Sequence, residues 1–228
     1  MRVLVACEES QTVCCEFRAK GHEAYSCDIQ SCSGNHPEWH IQGDVIPVLD
    51  GSCEFTTEDG TVHRIDGEWD LIIAHPPCTY LTNGGAVQMF RKVTQEYPPY
   101  GTFQMTNVER LKQGMKARDF FMRCLNAKCQ RVAVENPIPM SIYMLPKASQ
   151  IIQPFDFGEP YSKKTCLWLR GLPPLFSSVI MLNKSPYING GGGRLDRPNY
   201  KGKQFASNSK SRSKTFPGIA KAMAEQWG

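Results

Sequence analysis

The sequence predicts an α/β protein of the Rossmann-like type, with a mostly parallel sheet and helices on both faces. An opening βαβ pattern and two later apolar strands joined by a helix are the main evidence for this class. The 228 residues suffice for one large domain with a small appended region.

The chain opens with the predicted βαβ unit. A strand at 2–6 is followed by a helix with a glycine C-cap and by a second strand at 23–27 that ends in Asp28. In sheets that bind nucleosides, an acid at this place accepts hydrogen bonds from ribose hydroxyls, although a purely structural acid is an equal alternative. The glycine fingerprint of dinucleotide sites is absent, since the first strand is followed by Cys7-Glu8-Glu9-Ser10.

Two shorter features precede the next long strand. A third short strand is predicted at 41–45, which contains Gly43-Asp44-Val45. Residues 51–67 have the pattern of an inserted hairpin, because two segments of strand type flank Asp59-Gly60, a strong tight-turn signal.

The apolar strand at 71–74 ends in His75-Pro76-Pro77-Cys78. The prolines fix their own φ angles and keep the preceding residues out of a helix, so the chain leaves the strand in a stiff extended turn. Cys78 therefore belongs at the carboxyl edge of the sheet, where open α/β proteins bind ligands. A thiol there can act as a nucleophile if its pKa is lowered or a base takes its proton; the alternative is an inert buried cysteine.

A second strand delivers a carboxylate to the same edge. Residues 79–100 are predicted to be an irregular lid over the site, 106–126 a helix, and 131–137 a strand that also runs into a proline. This second strand carries Glu135. A right-handed connection makes the two parallel strands neighbours or near neighbours, so we expect Cys78 and Glu135 to face one site.

The C-terminal part of the chain has a different character. A strand at 165–169 follows two lysines, and residues 171–214 have little periodicity, many glycines and a basic composition. Residues 215–228 have the pattern of a helix. We therefore divide the chain into a catalytic domain at 1–170, a small basic region at 171–214, and a C-terminal helix that packs back on the catalytic domain.

Charge and cysteine content limit the possible partners. Residues 1–158 carry 14 lysines and arginines against 19 acids, whereas residues 159–228 carry 12 against 3. A basic C-terminal third indicates that one end meets a polyanion, although a solvated basic tail is the alternative.

The ten cysteines are scattered through strand and helix patterns, which favours a reducing cytoplasmic environment. No segment approaches the ~20 apolar residues of a membrane helix, so we expect no membrane partner.

One polar segment offers an alternative metal site. The cysteines and histidines of this segment are spaced so that their thiolate and imidazole groups could hold zinc. No paired C-x-x-C motif is present, however, and we expect no metal. The four candidate ligands are Cys27, Cys32, His36 and His40.

The order of these motifs resembles that of the DNA cytosine-5 methyltransferase family, especially its short phage and prophage members. Pro76-Pro77-Cys78 is similar to the family's Pro-Cys nucleophile loop, and Glu135-Asn136-Pro137 is similar to its Glu-Asn-Val motif. Gly43-Asp44-Val45 resembles the Gly-Asp cofactor motif, and Asp28 falls where the family has its ribose-binding acid. Lys163-Lys164-Thr165 resembles the later basic motif, and the final helix resembles the last motif. The resemblance implies the class I methyltransferase fold.

The resemblance also implies a function and a set of roles. The activity would be methylation of carbon 5 of cytosine in DNA, with S-adenosylmethionine as cofactor and a covalent cysteine adduct as intermediate. Glu135 would donate to ring nitrogen 3, which favours a raised pKa for its carboxyl group. The catalytic residues would be Cys78, Glu135 and Lys164. The cofactor would be bound by Ala6, Cys7, Glu8, Ser10, Asp28, Ile29, Asp44, Val45, His75 and Pro76. DNA would be contacted by Lys163, Arg194, Arg197, Lys201 and Lys203.

The sequence departs from the family in ways that leave alternatives open. The Phe-x-Gly-x-Gly signature of the first strand is missing, the valine of the Glu-Asn-Val motif is Pro137, and the basic motif has lysines in place of arginines. The region available for target recognition is also short. The alternatives are the same chemistry on a cytosine nucleotide or RNA, and a catalytically silent nucleic-acid-binding homologue. A zinc deaminase is rejected, because the second cysteine that its Pro-Cys-x-x-Cys motif needs is Leu81 here.

Overall fold

The computed structural model describes residues 1–95, 101–181 and 214–228, and the structural statements below concern these residues. Their strands are β1 (Arg2–Ala6), β2 (Glu23–Asp28), β3 (His40–Gln42), β4 (Cys53–Thr56), β5 (Val62–Ile65), β6 (Leu71–Ala74), β7 (Phe90–Gln95), β8 (Gly101–Thr106), β9 (Val132–Pro137), β10 (Gln150–Ile152) and β11 (Thr165–Arg170). Their α-helices are α1 (Thr12–Ala19), α2 (Ala86–Met89), α3 (Val108–Leu125) and α4 (Pro217–Trp227).

Seven strands form the central sheet, in the order β10-β11-β9-β6-β1-β2-β3. The five strands from β9 to β3 run parallel to one another. At the other edge, β11 lies antiparallel to both β9 and β10. The predicted α/β class with a mainly parallel sheet is confirmed, whereas β10 and the antiparallel direction of β11 were not predicted from the sequence.

The strand order reverses at β1, which lies between β2 and β6. Chain-order neighbours β2 and β3 lie on one side of β1, and β6 and β9 lie on the other side. Such a reversal opens a crevice at the carboxyl ends of the strands, and ligands of open α/β sheets bind in this crevice. The segments that follow β1, β2, β6 and β9 therefore lie at the same edge of the sheet, around the point where the strand order reverses.

Helices cover both faces of the sheet, because the strand side chains alternate between two apolar cores. On one face, Ile72 of β6 belongs to a cluster that includes Phe121 of α3. On the other face, Ile73 belongs to a cluster with Phe17 of α1 and Trp227 of α4. All five side chains are fully buried, as expected for a parallel sheet enclosed by helices.

The C-terminal helix α4 packs on the same face of the sheet as α1. Gly218, in its first turn, lies so close to Phe157 that a Cβ atom there would come within 1.9 Å of the Phe157 carbonyl oxygen. Near the end of the helix, Nε1 of Trp227 donates to the carbonyl oxygen of Pro173 (3.0 Å). These contacts fix both ends of α4 to the sheet domain.

Two antiparallel hairpins lie outside the central sheet. β4 pairs with β5 within residues 51–67, and Phe55 of this hairpin contacts Tyr25 of β2 edge-on, with 5.0 Å between the ring centroids. β7 pairs with β8, with Lys92 opposite Gln104. The irregular lid predicted for 79–100 is therefore wrong for residues 90–95, which form a strand.

Most of the basic region predicted at 171–214 lies outside the described residues. Among the helices of the described part, none has both the length and the apolar composition needed to cross a bilayer.

Candidate active site

Cys78 and Glu135 follow two neighbouring parallel strands. β6 pairs with β9 in a register that sets Ala74 opposite Val134. His75 and Glu135 are the next residues on the two strands, and Cys78 lies in the turn three residues further on. The topology therefore brings the two predicted catalytic residues to the same edge of the sheet.

Hydrogen bonds join the turn after β6 to the segment after β9. Nδ2 of Asn136, which is fully buried, donates to the carbonyl oxygen of Pro76 (2.9 Å). Two backbone hydrogen bonds of 2.8 Å join residues 81–83 to residues 138–140. The proline-rich turn is thus fixed by its own φ angles and by its neighbour strand, so Cys78 is held in a defined position.

Hydrogen bonds also stabilise the turn at Cys78 and join it to α3. The carbonyl oxygen of Cys78 accepts hydrogen bonds from the N–H groups of Leu81 and Thr82 (3.0 Å each). Nη2 of Arg110, in the first turn of α3, donates to the carbonyl oxygen of Thr79 (2.7 Å). This contact links the helix that joins the two strands to the loop that carries the thiol.

The environment of Cys78 keeps its thiol protonated. Burial raises the pKa of the thiol, and the nearby negative charge of Glu135 raises it further. The positive charge of Lys163 lowers the pKa but does not outweigh these two effects. Since the thiolate is the nucleophilic form, a nucleophilic role would require Cys78 to lose its proton.

Glu135 is ionised in the free protein, which differs from the sequence-based expectation of a raised pKa. Burial alone would raise the pKa of this carboxyl group, but its hydrogen bond with His75 and the charge of Lys163 more than compensate, and the net pKa is lowered. Nδ1 of His75 lies 3.4 Å from Oε2 of Glu135. Thr165 of β11 also hydrogen-bonds to Glu135 and lowers the pKa. The expectation came from the donor role that the resemblance implies for Glu135, and it took no account of these partners, which stabilise the ionised form.

Of the two lysines before β11, Lys163 is the one whose charge acts on Cys78 and Glu135. Lys164, predicted to be catalytic, is exposed. Alternation along an extended chain explains the difference, because Lys163 and Thr165 project to the same side. The contact of His75 with Glu135 was not predicted from the sequence. The predicted pairing of the two strands could have indicated this contact, because the strands end at these two residues.

The predicted cofactor residues lie at the carboxyl ends of β1, β2 and β6 and in the segment after β3. The N–H group of Cys7 donates to the carbonyl oxygen of Cys27 (2.7 Å), and Gly43 donates to that of Asp28 (2.8 Å). Burial raises the pKa of the Cys7 thiol well above its usual value, and neighbouring ionisable groups, among them Asp28 and Asp44, add to the effect. The two carboxylates therefore face the same region.

Side chains of the crevice differ in exposure. Ile29 is 77% exposed, whereas Val45 is buried. Ala6 and Pro76 are buried as well, and the carbonyl oxygen of Ala6 accepts from the N–H group of His75 (2.9 Å). The end of β6 is thereby joined to the end of β1, so the crevice and the Cys78 turn are parts of one continuous edge.

Glu8 occupies the N-terminus of α1. Its buried carboxylate accepts hydrogen bonds from the N–H groups of Val13 (2.7 Å) and Cys14 (3.2 Å). In dinucleotide-binding sheets, this helix end binds the pyrophosphate. The glutamate takes that place, so the site disfavours a phosphate at α1. Ser10 lies beside it, with its Oγ 3.0 Å from Oγ1 of Thr12.

The alternative zinc ligands are used in other contacts. Cys27 is buried and its thiol donates to the carbonyl oxygen of Gly43 (3.7 Å). His40 is buried between Oγ of Ser26 (2.8 Å) and the carbonyl oxygen of Gln30 (2.9 Å). Within residues 1–95, 101–181 and 214–228, no three histidine, cysteine, aspartate or glutamate side chains are grouped so that they could hold a metal ion.

Four of the predicted DNA-contacting residues lie outside the described part of the chain: Arg194, Arg197, Lys201 and Lys203. No protein-family model matches the sequence, and a comparison with curated proteins gives no match.

Proposed function

We propose that this protein is an S-adenosylmethionine-dependent methyltransferase that methylates carbon 5 of cytosine in DNA through a covalent adduct with Cys78. One observation carries the proposal. Cys78 and Glu135 follow neighbouring parallel strands and are near enough for the charge of one to shift the pKa of the other. They lie at the edge of the sheet where its strand order reverses, beside a crevice bordered by Asp28 and Asp44. A nucleophile, a carboxyl group and a nucleoside crevice are what this chemistry needs.

The chemistry explains why a thiol and a carboxyl group are needed together. Carbon 5 of cytosine is a poor nucleophile, and addition of Sγ of Cys78 to carbon 6 converts the ring into an enamine whose carbon 5 can accept a methyl group. Loss of the carbon 5 proton to water then expels the thiolate and restores the ring double bond. Glu135, ionised in the free protein, must take up a proton before it can donate to ring nitrogen 3 and stabilise the adduct, and the charge of Lys163 offsets negative charge beside it.

The crevice fits the nucleoside half of the cofactor. Within the described residues, Asp28 uses Oδ1 to accept from the N–H group of Gln30 (2.9 Å), which leaves Oδ2 for the ribose hydroxyls. Ile29, which is exposed, offers apolar surface to an adenine ring. The carboxylate of Glu8 suits the ammonium group of the methionine half. S-Adenosylmethionine, when bound, would supply the methyl group.

Duplex DNA is the proposed substrate because of the basic C-terminal third. Eight lysines and arginines lie between Lys184 and Lys214, against one acid, Asp196. A positive segment of this kind binds phosphates without reading sequence. A cytosine inside a duplex must leave the base stack before a thiol can reach carbon 6, so the proposal includes base flipping.

Covalent trapping tests the proposal. DNA that contains 5-fluorocytosine cannot lose its carbon 5 substituent, so the adduct should persist and shift the protein band in a denaturing gel. We expect the adduct with the wild type and S-adenosylmethionine, and none with Cys78→Ala, whose methyl transfer should fall by about 1,000-fold or more. Cys15→Ala, which removes a half-buried thiol on α1, is the matched control and should form the adduct normally.

Parallel arms with single-stranded DNA, RNA and dCMP test the substrate. Faster methyl transfer to RNA or dCMP than to duplex DNA would replace the proposed substrate but keep the chemistry. An adduct that forms equally well with Cys78→Ala would contradict the assignment of the nucleophile. No adduct and no methyl transfer with any substrate would contradict the proposed function.

A further inference from the structure

We propose that His75 is a positioning residue that orients Glu135 and holds the proton which Glu135 shares with the cytosine ring. The inference rests on the proposed function, since it assigns a role within that site. It goes beyond the resemblance, which places His75 among the cofactor-binding residues. The evidence is the geometry of a mostly buried imidazole beside the Glu135 carboxylate.

His75 is fixed from several sides. Its side chain and that of Glu135 are only 10% and 15% exposed, and Nδ1 lies 3.4 Å from Oε2 of Glu135. The backbone N–H group of His75 donates to the carbonyl oxygen of Ala6 (2.9 Å), which sets the position of the ring. A distance of 3.4 Å is long for a hydrogen bond, as is common for catalytic pairs before substrate binds.

The second ring nitrogen of His75, Nε2, differs from Nδ1 in its contacts. Nε2 of His75 is buried and has no hydrogen-bond partner among the described residues. Glu8 also interacts with His75, since the charge of His75 lowers the pKa of Glu8 against the larger effect of burial, which raises it. A neutral imidazole donates one N–H group, whereas a protonated one donates two.

The charged and titratable groups around this pair come from four segments. Glu8, in the loop after β1, and Glu135, on β9, interact electrostatically with His75. Lys163, before β11, acts on Glu135 and on Cys78, which lies in the turn after β6.

The proton of this pair has a path to the substrate. The protonated imidazole of His75 gives its Nδ1 proton to Oε2 of Glu135. The carboxyl group then donates a proton to ring nitrogen 3 while Sγ of Cys78, whose own proton has passed to solvent, bonds to carbon 6. When the Cys78–carbon 6 bond breaks, the proton returns along the same path, so both residues end as they began. Protonation of Glu135 also removes the negative charge that raises the pKa of Cys78, which favours the thiolate.

Two substitutions separate the orienting role from the protonation role. Gln at position 75 can still donate an N–H group to Glu135 but holds no titratable proton, whereas Leu does neither. We expect H75Q to slow adduct formation with 5-fluorocytosine DNA by about 10- to 100-fold and H75L by more. Carboxylic acids ordinarily titrate about two pH units below imidazoles, so the alkaline limb of the H75Q pH profile should move to lower pH by about one unit or more. His22→Gln, at the far end of α1, is the control and should keep the wild-type rate and profile.

A readout in the free protein tests the pairing without any substrate. The hydrogen-bonded Nδ1 proton of His75 should give a downfield NMR signal in the wild type that is absent in Glu135→Ala. Wild-type rate and pH profile in H75Q would overturn the inference while the proposed function stands. Equal slowing of H75Q and H75L with an unchanged profile would also overturn it, because that result indicates a structural role. If the wild type forms no adduct, the proposed function fails, and absence of the NMR signal would then also overturn the pairing.

Discussion

Asn136 shows how one buried amide can set the position of a nucleophile that belongs to another strand. Its Nδ2 atom donates to the carbonyl oxygen of Pro76, two residues before Cys78. Its Oδ1 atom is buried without a partner among the described residues. The amide therefore makes a single contact, and that contact joins the carboxylate-bearing strand to the proline turn.

Asn136→Ala should weaken both the fold and the site. The substitution leaves the Pro76 carbonyl group without its donor, which typically costs about 1–3 kcal/mol. It also releases the turn, so we expect adduct formation to fall about 10-fold while S-adenosylmethionine binding is retained. Denaturant unfolding and calorimetry measure the two effects. Asn126→Ala, at an exposed position after α3, should change neither. Unaltered adduct formation by Asn136→Ala would contradict the positioning argument.

For single residues, the sequence predicts which residues belong to the candidate site better than it predicts the contacts that they make. Cys78 and Glu135 could be selected because each follows an apolar strand that ends in a proline turn. The ionised state of Glu135 could not be predicted, since it depends on His75 and Lys163, which are far apart in the chain. Which of two adjacent lysines faces the site depends on the register of β11, and that register is set by pairing with β9.

At the scale of elements, the strongly apolar strands were predicted and the weakly patterned ones were not. β1, β2, β6 and β9 are buried and have clear apolar patterns. β10 has three residues, one of them an exposed isoleucine, so its pattern is too short to recognise. β7 and β8 pair only with each other, outside the central sheet, and β7 lacks the apolar alternation of a half-buried strand.

The packing of α3 against the segment after β9 can be tested by a substitution in the helix. Gly114 of α3 is buried against Tyr143, and a Cβ atom there would come within 1.9 Å of the tyrosine hydroxyl oxygen. Gly114→Ala should destabilise the protein by about 1–3 kcal/mol through overpacking, although alanine favours a helix by up to about 1 kcal/mol. Thermal and denaturant unfolding measure the change.

Gly43→Ala is the matched control for this test, because a Cβ atom at Gly43 would meet no heavy atom within 4 Å. We expect its free energy of unfolding to stay within about 0.5 kcal/mol of the wild type. A stabilised Gly114→Ala variant would indicate that Tyr143 can move aside. The segment after β9 would then be less rigid than its contacts with residues 81–83 imply.

At the scale of the whole molecule, the chain combines an acidic body with a basic end. The sheet edge that carries Cys78 also carries several acids, among them Glu8, Asp28, Asp44 and Glu135. An acidic edge repels a DNA backbone, so the proposed binding of DNA requires attraction from another part of the protein. The basic segment between Lys184 and Lys214 is the strongest candidate in the sequence.

Replacement of Arg194, Arg197, Lys201 and Lys203 by Gln should therefore weaken duplex binding and its dependence on salt. Each lost phosphate contact lowers the slope of log affinity against log salt by about 0.9, so four contacts lower it by about three to four. Titrations at several salt concentrations measure the slope. The control replaces Lys20, Lys128, Lys147 and Lys221, which are exposed elsewhere, and removes the same net charge. A similar slope for both variants would mean that net charge, and not this segment, attracts the DNA.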